Sequence, residues 1–443
     1  MRSIAWLAVP LAIVAAAPAV AADRTDWVDA KTGHRVHLIS DAPGNYALYF
    51  NYNAYTPNGD TMVFQTKAGI SRLDMKSWKV TSLLSRRGAH VLFVGHKTRS
   101  VYFSEQAGGA ADAAITIYAA DIDSGAVRLI AKVPKGSRID TINADETLLA
   151  GQIAERDMPL QPGAGVPDTK TGQAAYAANW PDGTPMTYAD AKEFRLNQRL
   201  DARVPMEIFT LNVKTGERRS VLKATDWLNH LQFSPTDPTL LMYCHEGPWH
   251  KVDRIWTIRT DGSQMTKVHA RTMNMEIAGH EFWSPDGKTI WYDLQRPRGE
   301  SFWLAGYEVA TGKRTQYHLE RNQWSVHYNL SADQTRFVGD GGDSEMVAHA
   351  PDGKWLYLFT PKTIPDVAGI HAADAASLIV SGKMDQEKIV DFGRQNYQLE
   401  PNARFSPDGK WLIFRANIEG KVAIYAAEVA KAAQGLTPVA PRS

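Results

Sequence analysis

Cysteine occurs once in 443 residues, at Cys244, so no disulfide can form within the chain and stability has to come from burial. Net charge is nearly absent too. The chain has 49 basic and 48 acidic residues, a formal charge of +1 at pH 7, and it shows neither a nucleic-acid groove nor a polybasic membrane face. Charge averages over faces, so a local basic cleft for an acidic ligand remains open. No Gly-x-Ser-x-Gly nucleophile elbow occurs, which argues against a serine hydrolase. The one apolar run, Ile4 to Val14, is broken by Pro10 and soon followed by Asp23, Arg24 and Asp26, too short for a membrane span.

That run has another reading. Arg2 supplies a positive start, and Ala15 to Ala22 are small residues ending in Ala19-Val20-Ala21 or Val20-Ala21-Ala22, the pattern of a secretory signal with its cleavage site. Residues 1–22 are therefore expected to be removed, and residues 23–443 to work in the periplasm or outside the cell. At 44% hydrophobic and 22% charged residues, the remainder is globular and long enough for one large closed domain.

What the chain has in quantity is a repeat. A short alternating run leads into a Ser/Thr-Pro-Asp-Gly type turn, then into a second apolar run. Clear copies are Thr56-Pro57-Asn58-Gly59, Ser284-Pro285-Asp286-Gly287 and Ser406-Pro407-Asp408-Gly409; weaker ones stand at Ser234-Pro235, Ser331-Ala332-Asp333, Asn143-Ala144-Asp145 and Gly95-His96-Lys97. Many are followed by a second turn, as at Asp123-Ser124-Gly125 or Ala310-Thr311-Gly312. Two hairpins per unit mean about four antiparallel strands, and units of roughly 40 to 50 residues of this kind are propeller blades. A lone blade cannot cover both faces, so the blades must stack into a ring. The expectation is an all-β, seven-bladed β-propeller.

Two spacings are irregular. Residues 155–204 form an inserted stretch with a helical run from Tyr188 to Leu200, on which Lys192, Arg195 and Arg199 recur at near-helical spacing. They mark either a solvated helix face or a lid offering cations to an acidic ligand. The long interval between Ser331 and Ser406 is expected to be one blade with extended connections.

The central end of a propeller, where loops from every blade converge, is its default site. The residues that reach it lie just before the first turn of a unit. His280 stands four residues before Ser284, His327 four before Ser331, Asn402 four before Ser406 and Glu400 six before it. The fold would bring these together. The stretch from Cys244 to Gly287 adds His245, Glu246, Trp249 and Arg254. For Trp249, propeller packing competes with stacking on a sugar face. Trp256, Trp283 and Trp291 read as core, and Cys244 as packing under the site.

Cys244-His245-Glu246-Gly247-Pro248, Val252-Asp253-Arg254-Ile255-Trp256, Gly279-His280-Glu281, and His327 with Val338-Gly339-Asp340-Gly341 resemble the propeller-type oligogalacturonate lyases. The likeness runs from Thr32-Gly33 to Tyr425 and is most specific between His230 and Gly341. It implies β-elimination on short pectic oligomers with a bound divalent metal, manganese first and calcium or magnesium as alternatives. It also implies that His280 is the base, Arg254 the active-site arginine and His327 a metal ligand. The pattern departs in the last unit. Where the family has Gln-x-x-His-x-His, this chain has Tyr397-Gln398-Leu399-Glu400-Pro401-Asn402, so Glu400 and Asn402, with Gln398 as a fourth candidate, would complete the metal shell. The structural alternative pairs Glu400 with Arg404 and holds no metal.

The residue types suit the chemistry. A proton α to a carboxylate becomes removable once the carboxylate's charge is neutralised by a metal or an arginine, and a neutral imidazole can then take it. Arg254 could hold a carboxylate bidentately. His230, His245, Glu246 and Trp249 are candidate substrate-binding residues for an acidic oligosaccharide. A second class of reading is a periplasmic propeller that binds acidic sugars without cleaving them.

Overall fold

The computed structural model describes residues 26–106, 114–158, 179–186, 188–343, 347, 349–365 and 372–433. The signal assigned to residues 1–22 lies outside them, as does much of the inserted stretch. Among the described residues there are 28 strands and one α-helix, Tyr188–Ala202, an all-β architecture.

The strands fall into six sheets. Three have four strands each in chain order, starting at His90–Val94, Arg138–Ile142 and Leu228–Phe233, and one has three, starting at Thr61–Thr66. An eight-stranded sheet consists of two antiparallel runs, Ile277–Trp283 to Arg314–Leu319 and Tyr328–Leu330 to Val380–Asp391, joined where Arg314–Leu319 pairs in parallel with Val380–Asp391. The sixth sheet joins chain ends. Strand His34–Ser40 pairs with Ala423–Lys431, which pairs with Trp411–Ala416.

The repeated turn explains the hairpins. The Ser284 hydroxyl donates to Asp286 Oδ1 at 2.6 Å and accepts the Thr289 N–H at 2.9 Å. Gly287 takes the left-handed φ of 67° that closes the turn. Ser331 with Asp333 and Ser406 with Asp408 repeat the pattern. Serine and aspartate thus satisfy the turn's own N–H groups, as such residues do.

Alternation along each strand leaves apolar side chains on both faces, and the cores lie between sheets. Val63 and Phe64 pack with Val101 and Phe103 of the next sheet and with Ile413 and Ile424 of the last. Phe209 packs with Phe93, Leu241 with Ile208, Tyr292 with Met242, Phe302 with Tyr328, and Leu358 with Phe405. Every sheet is covered by its neighbours and the series returns on itself, a propeller-like ring. Each such side chain contributes about 1.5–3 kcal/mol. Trp256, Trp283 and Trp291 pack against these cores as expected.

Strands Leu148–Ala154 and Met206–Asn212 pair directly, from Ala154 with Met206 to Leu148 with Asn212. The helix Tyr188–Ala202, which lies between them in sequence, is therefore outside the sheet.

Candidate active site

The first strands of two neighbouring sheets are interrupted at the same place. The ladder shifts between Asn229 and Gln232 and between Gly279 and Phe282, and inside these bulges His230 and His280 take left-handed φ values of 52° and 48°. A bulge leaves one residue unpaired and re-aims its side chain. Both histidines border one cavity of about 560 Å3, with Tyr49, Lys192, Glu246, Trp249, Arg254 and Glu400. That volume is within the range of small-ligand sites.

Each inward histidine on the eight-stranded sheet has an aspartate thirteen residues on. His280 Nδ1 lies 3.0 Å from Asp293 Oδ1, and His327 Nδ1 lies 2.8 Å from Asp340 Oδ2. Both aspartates are buried. Such a partner holds the ring in place and leaves Nε2 as its reactive nitrogen. The two rings meet edge to face with centroids 4.8 Å apart. Asp340 also accepts the backbone N–H groups of His327 and Asn402. Asp293 and Tyr49 escaped the sequence reading, although the equal spacing of the two His–Asp pairs was there to be seen.

Arg254 is buried, its Nη1 donating to the Gly247 carbonyl at 2.9 Å, and its guanidinium stands 5.4 Å from the centre of the Trp249 ring. Its Nε has no partner among the described residues. A buried charged donor without an acceptor is costly.

Glu246 is buried and tied from three sides. Arg199 Nη1 donates to it at 3.1 Å and Asn229 Nδ2 at 2.8 Å, while His230 Nε2 stands 3.5 Å away. Burial would raise its carboxyl, but His230, Arg199 and Arg254 outweigh that and hold it well below the usual carboxylate range. His230 is affected in the opposite sense. Burial would lower its pKa, and Glu246, with Glu281, raises it overall.

The helix Tyr188–Ala202 thus touches the site in two ways: Lys192 and Leu196 border the cavity, and Arg199 reaches Glu246 while stacking 3.9 Å above the Trp227 ring. Arg195 bonds Gln198 instead. The helix therefore does not present its three cations alike.

Other expected site residues are placed elsewhere. His245 does not border the cavity; it stacks on Trp256 at 5.4 Å, because successive strand residues point to opposite faces and Glu246 takes the inward place. Cys244 is fully buried, its thiol pushed well up by burial, which suits packing.

The expected metal donors divide. His327 Nε2 stands 3.7 Å from Glu400 Oε2 and 3.1 Å from the Tyr49 hydroxyl, so an imidazole and a carboxylate face the same point, a donor set that suits a divalent ion. Asn402 has its amide oxygen 3.4 Å from the Phe50 N–H and its amide nitrogen on the Glu400 carbonyl. Gln398 is exposed and outside the cavity lining. Among the described residues no three of His, Cys, Asp and Glu gather closely enough to hold an ion. Of the four expected donors, His327 and Glu400 are brought together, and Asn402 and Gln398 are not brought to them. Arg404 does not pair with Glu400 either, since its guanidinium goes to the carbonyls of Leu48, Tyr49 and Tyr52.

With this geometry in view, comparison with known proteins is specific. A family profile described as oligogalacturonate lyase matches residues 180–433, more than half of the chain. An oligogalacturonate lyase of Dickeya dadantii is 29% identical over 280 residues, covering 60% of this chain and 68% of its own. An oligogalacturonide lyase of Pectobacterium atrosepticum is 28% identical over 285 residues, with the same coverage. In fold, the chain is similar to an oligogalacturonate lyase solved in complex with manganese, with a TM-score of 0.68 at 21% identity over 92% of this chain and 96% of that one. An oligogalacturonate lyase from Vibrio parahaemolyticus gives 0.67 at 19% identity, covering 93% and 97%. The chain belongs to the oligogalacturonate lyase family and is a carbon–oxygen lyase.

Proposed function

We propose that this protein cleaves oligogalacturonates or related uronate oligomers by metal-assisted β-elimination, on a seven-bladed propeller whose cavity binds the acidic oligosaccharide. The observation that carries the reading is one cavity bordered both by a histidine backed by a buried aspartate and by a buried arginine. Dividing the eight-stranded sheet at its one parallel pair, and counting the sheet that joins His34–Ser40 to Ala423–Lys431 as one blade, supports the count of seven. Residues 155–204 are then an excursion rather than a blade, and residues 1–22 a signal for export to the periplasm or beyond.

Arg254 receives the carboxylate of the uronate to be cleaved. Neutralising that charge acidifies the C5 proton and stabilises the enolate that forms as it leaves. His280 takes the proton on Nε2, and Asp293 stabilises the resulting imidazolium. The C5–H electrons become the C4=C5 double bond, the bond from C4 to the glycosidic oxygen breaks, and that oxygen leaves on C1 of the departing sugar with the bonding pair. Trp249 offers a ring face for a sugar, and Lys192 a second cation for a neighbouring carboxylate. A divalent ion, manganese first and calcium or magnesium as alternatives, would be held by His327 and Glu400 and would supply further neutralisation of the substrate carboxylate.

The test is incubation with oligogalacturonates and other uronate oligomers, following the ultraviolet absorbance of the unsaturated product. Tight binding without that absorbance, across the substrates tried and with manganese added, would replace this reading with that of a sugar-binding propeller.

A further inference from the structure

An elimination needs a proton delivered as well as one removed, because the departing sugar leaves as an alkoxide unless an acid meets it. Resting on the elimination reading above, we propose that His230 is the catalytic acid that protonates the leaving glycosidic oxygen. It occupies the same bulge position as His280 in the neighbouring sheet, with the same left-handed backbone. Non-glycine residues rarely adopt that conformation and hold it only where the surroundings impose it, often at functional sites. The His230 side chain is 31% exposed and borders the cavity that His280 borders. The two rings are linked through Tyr49, whose ring centre is 6.5 Å from that of His230, and through His327.

What separates the two histidines is the partner. Glu246, whose position is set by Arg199 and Asn229, stands beside His230 Nε2 and favours its charged form. Glu281 faces it with the same sign of effect, and Arg254 with the opposite one. The other donors near the cavity are less suited. The Tyr49 phenol is a far weaker acid than an imidazolium, and Lys192 borders the cavity with Glu400, which it helps to keep ionised. Protons balance over the cycle. His280 gains the C5 proton, the leaving oxygen gains the His230 proton, and exchange with solvent restores both rings.

The experiment compares two leaving groups in the full-length protein. One substrate is a digalacturonate, whose leaving sugar needs a proton; the other is a galacturonate carrying 4-nitrophenol on C4, whose phenolate does not. His230→Asn is expected to lower kcat on the first by roughly 10²-fold or more, the range of a lost general acid, and on the second by less than about threefold. His280→Ala lowers both. The wild-type fall of kcat/KM on the alkaline side should disappear in His230→Asn. Equal losses on both substrates, or an alkaline limb that persists in the variant, would overturn the assignment and leave His230 a binding residue. If wild-type protein forms no unsaturated product from either substrate, the elimination reading itself fails, which is seen before any variant is made.

Discussion

His280 Nδ1 stands 3.0 Å from Asp293 Oδ1, across the inner two strands of one sheet. The aspartate is only 2% exposed, so it orients the ring without competing for substrate. His280→Ala is expected to reduce turnover by about 10²–10⁴ with the fold intact. Asp293→Asn should also reduce it, by removing the group that stabilises the imidazolium. Arg254→Lys replaces a planar fork with a point charge; losing one charge-assisted bond, about 1.5–3 kcal/mol, predicts roughly a tenfold fall or more. Steady-state kinetics with circular dichroism as a folding control checks all three, and near-normal turnover in His280→Ala and Arg254→Lys together would remove the assignment.

The division among the metal donors can be measured separately. Protein purified without chelator should carry manganese, calcium or magnesium in elemental analysis, and Glu400→Gln and His327→Ala should lose it. Gln398→Ala should keep wild-type affinity in a titration of chelated protein with Mn²⁺, because that side chain is exposed. Full activity in excess chelator, with no change in Glu400→Gln, would leave Arg254 and Lys192 as the charge stabilisers.

Arg199 ties the inserted helix to the floor of the site through Glu246, and both side chains are less than a tenth exposed. Removing one member of a buried pair leaves the other charge uncompensated, at a cost of about 3–5 kcal/mol. Arg199→Met should therefore lower the urea midpoint markedly, whereas Arg195→Met, whose partner is Gln198, should change it little. Similar midpoints for the two variants would show that the Arg199 pair contributes no more than a surface contact.

A second buried carboxylate makes stability depend on acid. Burial alone would raise the Glu276 carboxyl, but His269 at 2.6 Å and the N–H and hydroxyl of Thr272 hold it down at about 2. A folded value below the free one stabilises fully above the free value near 4.3 and is lost as pH falls toward 2. The shift corresponds to roughly 3 kcal/mol. Thermal melts should show Glu276→Gln well below wild type at pH 7, with the gap narrowing by pH 3. A gap independent of pH would assign the loss to packing instead.

The ring was legible because its signals are local. Serine and aspartate bond the N–H groups of their own turn, so Ser284-Pro285-Asp286-Gly287 announces a hairpin wherever it occurs. His280 and His327 were legible because a repeat converts sequence position into spatial position. His245 was misplaced because one step along a strand exchanges inside for outside, and a bulge nearby moves the count. Asn402 holds the expected position, yet its amide is directed to the Phe50 and Glu400 backbone, a preference that residue type does not reveal. Tyr49 was invisible for another reason. Its carbonyl is held by Arg404, 355 residues away, and no local pattern records such a contact.

The pairing of His34–Ser40 with Ala423–Lys431 also bears on the order in which a working enzyme comes into being. A nascent chain halted before Arg404 already contains His230, Arg254, His280 and His327. It has no guanidinium to fasten Leu48, Tyr49 and Tyr52, and no partner strand for the bare edge of His34–Ser40. Closure spans nearly the whole polypeptide, a contact that forms late and slowly. Catalysis should therefore switch on in a single step when that sheet closes, and products terminated before Arg404 should be inert and prone to aggregate through that edge rather than partly active.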